Sequence, residues 1–470
     1  MTNLAAIHAM LPRSRLLNIS PEAAEQLAIQ SIGSDSRHIT RGELFVALSG
    51  ERFNAHQFLG EVHQAGASAA LISESEKCPD DFPAVCVSNT RSSLGELAQA
   101  WRGQYDLPLA IVTGSNGKTT VKEMIAAIFK AAAGDAKVLV TQGNLNNDIG
   151  LPLTLLRLRP QHVLAVIELG MNHPGETAQL AALAQATIAI INNAQREHQE
   201  FMSSVAAVAE EHAAVLAALP ANGTAVFPAD SEFTPQWRRA ARTCKVIDFA
   251  LQADKPVAAA VMGRLLENGA LAIKTAQGEI EVHLATLGQH HLCNALAATA
   301  VALAAGLELE QIQRGLERFT PVAGRMEAKW LSPTRLLIDD TYNANPDSVR
   351  AAIDMLQQSG KDSWLVLGDM GEVGTQGPAF HREVGAYAAA CGVSRLFAIG
   401  ELSTFAVNSF NAHRANAQHF LSMEDLCKTL NQQLALRAEA EALQILVKGS
   451  RFMKMERATQ VLLQGSKACS

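Results

Sequence analysis

Short apolar runs alternate along the chain with longer stretches in which apolar residues recur every three or four positions. Runs at 109–112, 138–140, 163–167, 188–191 and 224–227 predict strands, bounded by turn residues. Val121, Met124, Ile125 and Ile128 share one helical face and predict a helix from 121 to about 130. Further helices are predicted over 205–216 and over the alanine-rich stretch 295–305. Upstream, 43–48 and 69–72 read as strands on either side of a polar loop, Gly50-Glu51-Arg52-Phe53-Asn54-Ala55-His56. Downstream of Pro321-Val322-Ala323-Gly324 the rhythm restarts, with strands at 336–338, 365–367, 396–399 and 445–447. Strands alternating with helices build parallel sheets.

A chain of 470 residues is too long for one core. The pattern predicts an α/β protein of three domains. A small N-terminal α/β domain covers 1–105, a central parallel-sheet phosphate-loop domain covers 106–319, and a Rossmann-like α/β domain covers 320–470. The net charge of −7, with no lysine- or arginine-rich run, gives a nucleic-acid partner no support. No stretch reaches the roughly 18 apolar residues that span a bilayer, and residues 1–12 lack an apolar core with a cleavage site. The expectation is a cytoplasmic protein. Seven cysteines lie scattered without C-x-x-C spacing, which argues against a disulfide framework or a zinc site.

The densest chemistry is Thr-Gly-Ser-Asn-Gly-Lys-Thr-Thr at 113–120, between a predicted strand and a predicted helix. Gly114 and Gly117 let backbone N–H groups of the loop, Asn116 included, turn toward phosphate oxygens. Lys118 adds a point charge, and Thr119 or Thr120 can hold Mg2+. The loop is shorter than G-x-x-x-x-G-K-[ST], since Val112 stands where that pattern has glycine. A bare structural turn would not need a lysine and two threonines in succession.

Ligands of open α/β sheets bind beyond the carboxyl ends of the strands. Glu168 and His198 follow strands on that edge and are candidate magnesium ligands or positioners. In isolation His198 would more often be a solvated loop residue. Thr141, Asn144, Asn146 and Asn147 crowd a loop whose amides suit a sugar or peptide, although a turn cluster is the simpler reading. Asn294 could meet an adenine edge or merely help cap a helix. Arg325 could reach a γ-phosphate across a domain boundary, and Asp339-Asp340-Thr341-Tyr342-Asn343-Ala344-Asn345-Pro346 brings carboxylates and amides to a strand end.

Taken in order, T-G-S-N-G-K-T-T, E-L-G-M-N, H-Q-E, G-Q-H-H-L-C-N-A-L-A-A, G-R and D-D-T-Y-N-A-N-P-D-S resemble the ATP-dependent Mur ligases of bacterial cell-wall synthesis, over nearly the whole chain. Gly143-Asn144-Leu145-Asn146-Asn147, Tyr342-Asn343-Ala344-Asn345-Pro346, Leu367-Gly368-Asp369-Met370 and Lys448-Gly449-Ser450-Arg451 are similar to the branch that adds D-alanyl-D-alanine to UDP-N-acetylmuramoyl-tripeptide. The resemblance implies a UDP-sugar-binding N-terminal domain contacting uridine through Ser34, Ser36, Arg37 and the loop from Arg52 through Phe53 to His56. It implies that Thr141, Asn144, Asn146 and Asn147 contact the sugar-peptide, with Tyr342, Asn343, Asn345, Lys448 and Ser450 also on the substrate side. It implies ATP held by the phosphate loop with Asn294, Arg325 and Asp340, and two magnesium ions served by Thr119, Glu168 and His198. Lys118, Glu168, His198 and Arg325 would carry the catalysis, in an enzyme expected to act as a monomer.

Many members of that family carry a carbamylated lysine on the helix after the magnesium histidine. No lysine stands between Lys137 and Lys245 here. Either Glu211 or His212 supports the second ion, or Glu168, His198 and phosphate suffice. The rival readings are the diaminopimelate-adding ligase or a folylpolyglutamate synthetase of the same superfamily, and a nucleotide-driven switch. Against the diaminopimelate adder, no Asp-Asn-Pro-Arg occurs in the third segment. A switch would have no use for the N-terminal domain or for the loop 144–147.

Overall fold

A computed structural model describes residues 1–467 apart from 51–52, 243, 253–256, 287, 359, 361 and 439. Arg52 of the uridine-loop expectation and Cys469 therefore lie outside the described residues. Three α/β units follow one another, each built on its own sheet.

The central sheet runs in the order Val138–Val140, Leu164–Glu168, Leu109–Thr113, Ile188–Ile191, Thr224–Pro228, Lys245–Leu251, Val261–Leu265, Leu271–Thr275 and Gly278–Val282. Its first seven strands are parallel, and the last two turn antiparallel. The parallel strands from Leu109–Thr113 to Thr224–Pro228 are buried on both faces, which is why they read as unbroken apolar runs. The C-terminal sheet is parallel through Arg335–Asp340, Leu443–Lys448, Asp362–Gly368, Arg395–Ile399 and Ala417–Phe420, with Glu327–Ser332 antiparallel at one edge. The N-terminal sheet orders Arg15–Leu17, Ala84–Cys86, Ala69–Ile72, Glu43–Val46 and Ser31–Gly33.

The two junctions between units differ in kind. One apolar core runs without a break from Leu4 through Leu97 and Trp101 to Leu155 and Trp237, joining the N-terminal and central units. Helix Thr90–Arg102 carries that joint: Trp101 Nε1 donates to the Leu158 carbonyl at 3.2 Å, and Arg102 donates to the carbonyls of Ala184 and Gln185 at 3.3 and 3.1 Å. The C-terminal unit keeps two cores of its own, one on each sheet face, and meets the central unit through polar groups. A polar junction of this sort is suited to opening and closing as a body.

Arg196 dominates that junction. Its guanidinium lies 2.6 Å from Asp347 Oδ1 and 2.7 Å from Glu383 Oε2, both on the C-terminal unit. With a fifth to a third of these side chains exposed, the pair is worth about 1–2 kcal/mol after solvent screening. Arg196→Ala is expected to raise the population of open molecules about tenfold, read as an increase in the radius of gyration by X-ray scattering. An unchanged scattering profile would mean the junction is held elsewhere.

Candidate functional site

The phosphate loop leaves strand Leu109–Thr113 and enters helix Lys118–Ala133. It turns on two glycines in left-handed territory, Gly114 at φ +134° and Gly117 at φ +81°. A Cβ at Gly117 would fall 2.7 Å from both Asn192 Nδ2 and Asn294 Oδ1, so the loop is braced as well as bent. Asn116 N donates to Asn193 Oδ1 at 2.8 Å, Asn192 Nδ2 donates to the Asn116 carbonyl at 2.8 Å, and the same Nδ2 reaches Asn294 Oδ1 at 2.9 Å. Asn294 thus lines the cavity and supports the loop from helix Gln289–Ala304.

Lys118 is folded back into its own loop. Its Nζ donates to the carbonyls of Gly114 (2.5 Å) and Ser115 (3.2 Å) and to Glu197 Oε2 at 3.2 Å. Thr119 and Thr120, both buried, line the same cavity.

Glu168 closes strand Leu164–Glu168 and is 2% exposed. Its Oε1 accepts from Asn146 Nδ2 at 2.8 Å, and its backbone N–H donates to Thr141 Oγ1 at 2.9 Å. Its Oε2 is buried with no hydrogen-bond partner. An orphaned carboxylate oxygen beside a threonine hydroxyl and a phosphate loop fits a hard divalent cation. Among the described residues no group of three or more histidine, cysteine or carboxylate side chains is arranged to hold a metal unaided. A cation here would have to share its coordination with phosphate and water, as Mg2+ commonly does.

His198 adopts φ +47°, unusual for a residue with a Cβ. That twist brings Nδ1 to 2.8 Å from Glu372 Oε2 of the C-terminal unit and Nε2 to 3.7 Å from Glu197 Oε2. Glu372 is held below the usual carboxylate range by the His198 imidazole beside it.

The C-terminal unit supplies the opposite wall. Arg325 lies 3.9 Å over the ring of Tyr342, and Lys448 Nζ bridges Asp340 Oδ2 at 2.5 Å and the Asn343 carbonyl at 2.9 Å. Ser450 Oγ accepts from Gly371 N at 2.6 Å, and Asn345 Nδ2 crosses to Asn116 Oδ1 at 2.9 Å. Together these residues enclose a cavity of about 1000 Å³, which Asn144, Asn146, Asn147 and Glu168 also line. His290 and His291 border it, and burial pushes both imidazoles down toward the neutral form.

Most of the other expected site residues sit elsewhere. Thr141 is fully buried and spends its hydroxyl on the Glu168 amide, outside the cavity wall. Asn147 lines the cavity while its Oδ1 accepts from Gly150 N at 2.9 Å. None of Ser34, Ser36, Arg37, Phe53 or His56 borders the cavity. Arg37 pairs with Asp35 at 2.8 Å, Phe53 stacks on Phe58 with ring centroids 5.6 Å apart, and buried His56 Nε2 accepts from Ser73 N at 2.9 Å. Neither alternative for the missing lysine faces the cavity. Glu211 accepts from the N–H groups of Gly175 and Thr177, both at 2.9 Å, and so caps helix Glu176–Ala184. His212, 0% exposed, sits behind Glu197.

Sequence reasoning passed over Glu197 itself. It is 6% exposed, lines the cavity, and reaches His212 Nε2 through Oε1 at 2.9 Å. Burial alone would raise its carboxyl, but Lys118, His212 and His198 bring it down to about 2. Arg196 and Glu197 stand immediately before His198, so the same-edge rule that singled out His198 was the signal available for them.

Residues 112–302 match the Mur ligase middle domain and 324–451 match the Mur ligase, glutamate ligase domain. The chain is 37% identical over 448 residues to the UDP-N-acetylmuramoyl-tripeptide--D-alanyl-D-alanine ligase of Escherichia coli (strain K12), covering 95% of this chain and 96% of that one. Among solved structures, crystal structure I of MurF from Acinetobacter baumannii superposes with a TM-score of 0.84 at 33% identity, over 93% of this chain and 94% of that one. The MurF ligase from Thermotoga maritima in complex with ADP shares the fold with a TM-score of 0.81 at 23% identity, over 94% and 99% of the two chains. Matched across nearly its whole length, the chain belongs to the Mur ligase family, in its group of UDP-N-acetylmuramoyl-tripeptide--D-alanyl-D-alanine ligases.

Proposed function

We propose that this chain joins D-alanyl-D-alanine to UDP-N-acetylmuramoyl-tripeptide, consuming ATP and releasing ADP and phosphate. The observation that carries the reading is one cavity walled by the phosphate loop and Glu168 on the central unit and by Arg325, Asp340 and Lys448 on the C-terminal unit. The Escherichia coli relative, a UDP-N-acetylmuramoyl-tripeptide--D-alanyl-D-alanine ligase, supplies the identity of the acyl and amine partners. Residues 1–105 bind the UDP-sugar, with Ser34, Ser36, Arg37, Phe53 and His56 on its side. Residues 106–319 hold the triphosphate, and 320–470 bring in the dipeptide. The enzyme works as a monomer in the cytoplasm, and no helix among the described residues is long and apolar enough to cross a membrane.

The tripeptide's terminal carboxylate attacks the γ-phosphorus and ADP leaves, giving an acyl phosphate. The dipeptide amine then attacks that carbonyl, and the tetrahedral adduct collapses with loss of phosphate. Loop N–H groups, Lys118 and Arg325 offset the charge gathered at the transferring phosphoryl group. Thr119, Glu168 and His198 would hold Mg2+, expected as two ions, which would draw charge from the phosphate oxygens. Asn144, Asn146 and Asn147 orient the sugar-peptide, while Tyr342, Asn343, Asn345 and Ser450 stand on the incoming side. Closure across Arg196 keeps water from the acyl phosphate. The protein forms no covalent bond, so positioning and electrostatics supply the rate.

The test is phosphate release from ATP and Mg2+ with the UDP-tripeptide, with and without D-Ala-D-Ala, and a mass check for the pentapeptide product. Release that needs both substrates is the expected result. Turnover with a different amino acid and none with D-Ala-D-Ala would move the chain to another branch.

A further inference from the structure

Glu197 and Lys118 neutralise one another inside the cavity wall, at 3.2 Å and with both side chains largely buried. For Lys118 to reach a phosphate, Nζ must leave the Gly114 and Ser115 carbonyls and Glu197 Oε2. Glu197 cannot follow. Its Oε1 is anchored to His212 Nε2 at 2.9 Å, and His212 Nδ1 is anchored in turn to Thr113 Oγ1 at 3.1 Å, at the end of the strand that feeds the loop. Departure of the ammonium would leave a fixed, buried carboxylate oxygen beside a polyanion. A buried charge is costly to leave unpaired, and His212 reaches only Oε1, so a cation at Oε2 would restore what Lys118 gives up.

A second, independent observation lies on the other flank of the loop. Strand Leu109–Thr113 is paired with Leu164–Glu168 on one side and Ile188–Ile191 on the other, so Glu168 ends one neighbouring strand and Glu197 follows the other. Glu168 Oε2 is buried, unpartnered and part of the same cavity wall. Resting on the nucleotide site proposed above, we infer that Glu197, oriented by His212, is a carboxylate ligand for a divalent cation that enters with the nucleotide, across the phosphate loop from the cation at Glu168. His212 is a positioning residue: it touches Glu197 and not the cavity.

The test counts Mn2+ bound per chain by electron paramagnetic resonance in the presence of a non-hydrolysable ATP analogue, and measures analogue affinity with Mn2+ and with EDTA. The wild type is expected to bind two Mn2+, and Glu197→Gln one. Glu197→Gln should also bind the analogue as well as the wild type, or better, in EDTA, because Lys118 is released and a negative charge is gone. A generally damaged site would lose affinity under both conditions. His212→Gln should retain two Mn2+ with the weaker one loosened about tenfold. Two Mn2+ of unchanged affinity in Glu197→Gln would overturn the inference, as would a wild type that binds the analogue with one Mn2+ only. A wild type that binds no analogue at all would overturn the nucleotide site itself.

Discussion

Lys118→Ala is expected to lower ligation by about 10³-fold or more, the scale on which removing one preorganised charge from a phosphoryl-transfer site acts. The fold should survive. Lys118 stands in the first turn of helix Lys118–Ala133, its Nζ bonds reach only its own loop and Glu197, and Glu197 keeps His212 when the ammonium is gone. The expectation is a folded protein whose thermal midpoint falls by several degrees, because buried Glu197 Oε2 loses its ammonium partner, together with phosphate release close to background. A folded Lys118→Ala protein turning over near the wild-type rate would show that the loop does not hold the triphosphate.

The second large effect concerns the metal requirement. Glu168→Ala removes the only orphaned carboxylate oxygen in the cavity wall among the described residues and frees Asn146 Nδ2 from its partner. The Mg2+ concentration giving half-maximal turnover is expected to rise by about 10–100-fold. Glu211→Ala serves as the contrast, since that carboxylate caps a helix outside the cavity. It should cost about 1 kcal/mol of stability and leave the Mg2+ titration where it was. A shift at Glu211 as large as that at Glu168 would mean that the cation sits on the other side of helix Val205–Ala217.

The parallel strands announced themselves because both faces are covered. Val138–Val140 and Ile188–Ile191 are pure apolar runs, and each sits where its run predicts. The far edge of the central sheet, the parallel strand Val261–Leu265 and the antiparallel Leu271–Thr275 and Gly278–Val282, was not read. It is half-exposed, and its alternation, clearest in Gly278-Glu279-Ile280-Glu281-Val282, is diluted by Gly263, Arg264 and Lys274. Short N-terminal strands such as Arg15–Leu17 and Ser31–Gly33 bury too little to leave a pattern. At the site, Glu168 and His198 were legible because each follows an apolar strand. Glu197 stood on the same edge, but its meaning comes from Lys118, 79 positions upstream, and from His212 on a helix that reads as ordinary core. A loop acid flanked by an arginine and a histidine looks solvated until the fold closes over it.

The amide contact between Asn116 and Asn345 makes one residue of the phosphate loop also a residue of the domain junction. Occupancy of the loop and docking of the C-terminal unit therefore share a free energy, and thermodynamics requires the sharing to be mutual. Whatever a nucleotide gains from finding the units docked, docking gains from the nucleotide. On the proposed function, a change at Asn345, on the far side of the junction, is expected to alter how tightly the loop holds phosphates. On the proposed function, a nucleotide that binds the docked form better would in turn favour the docked wall on which the dipeptide is received.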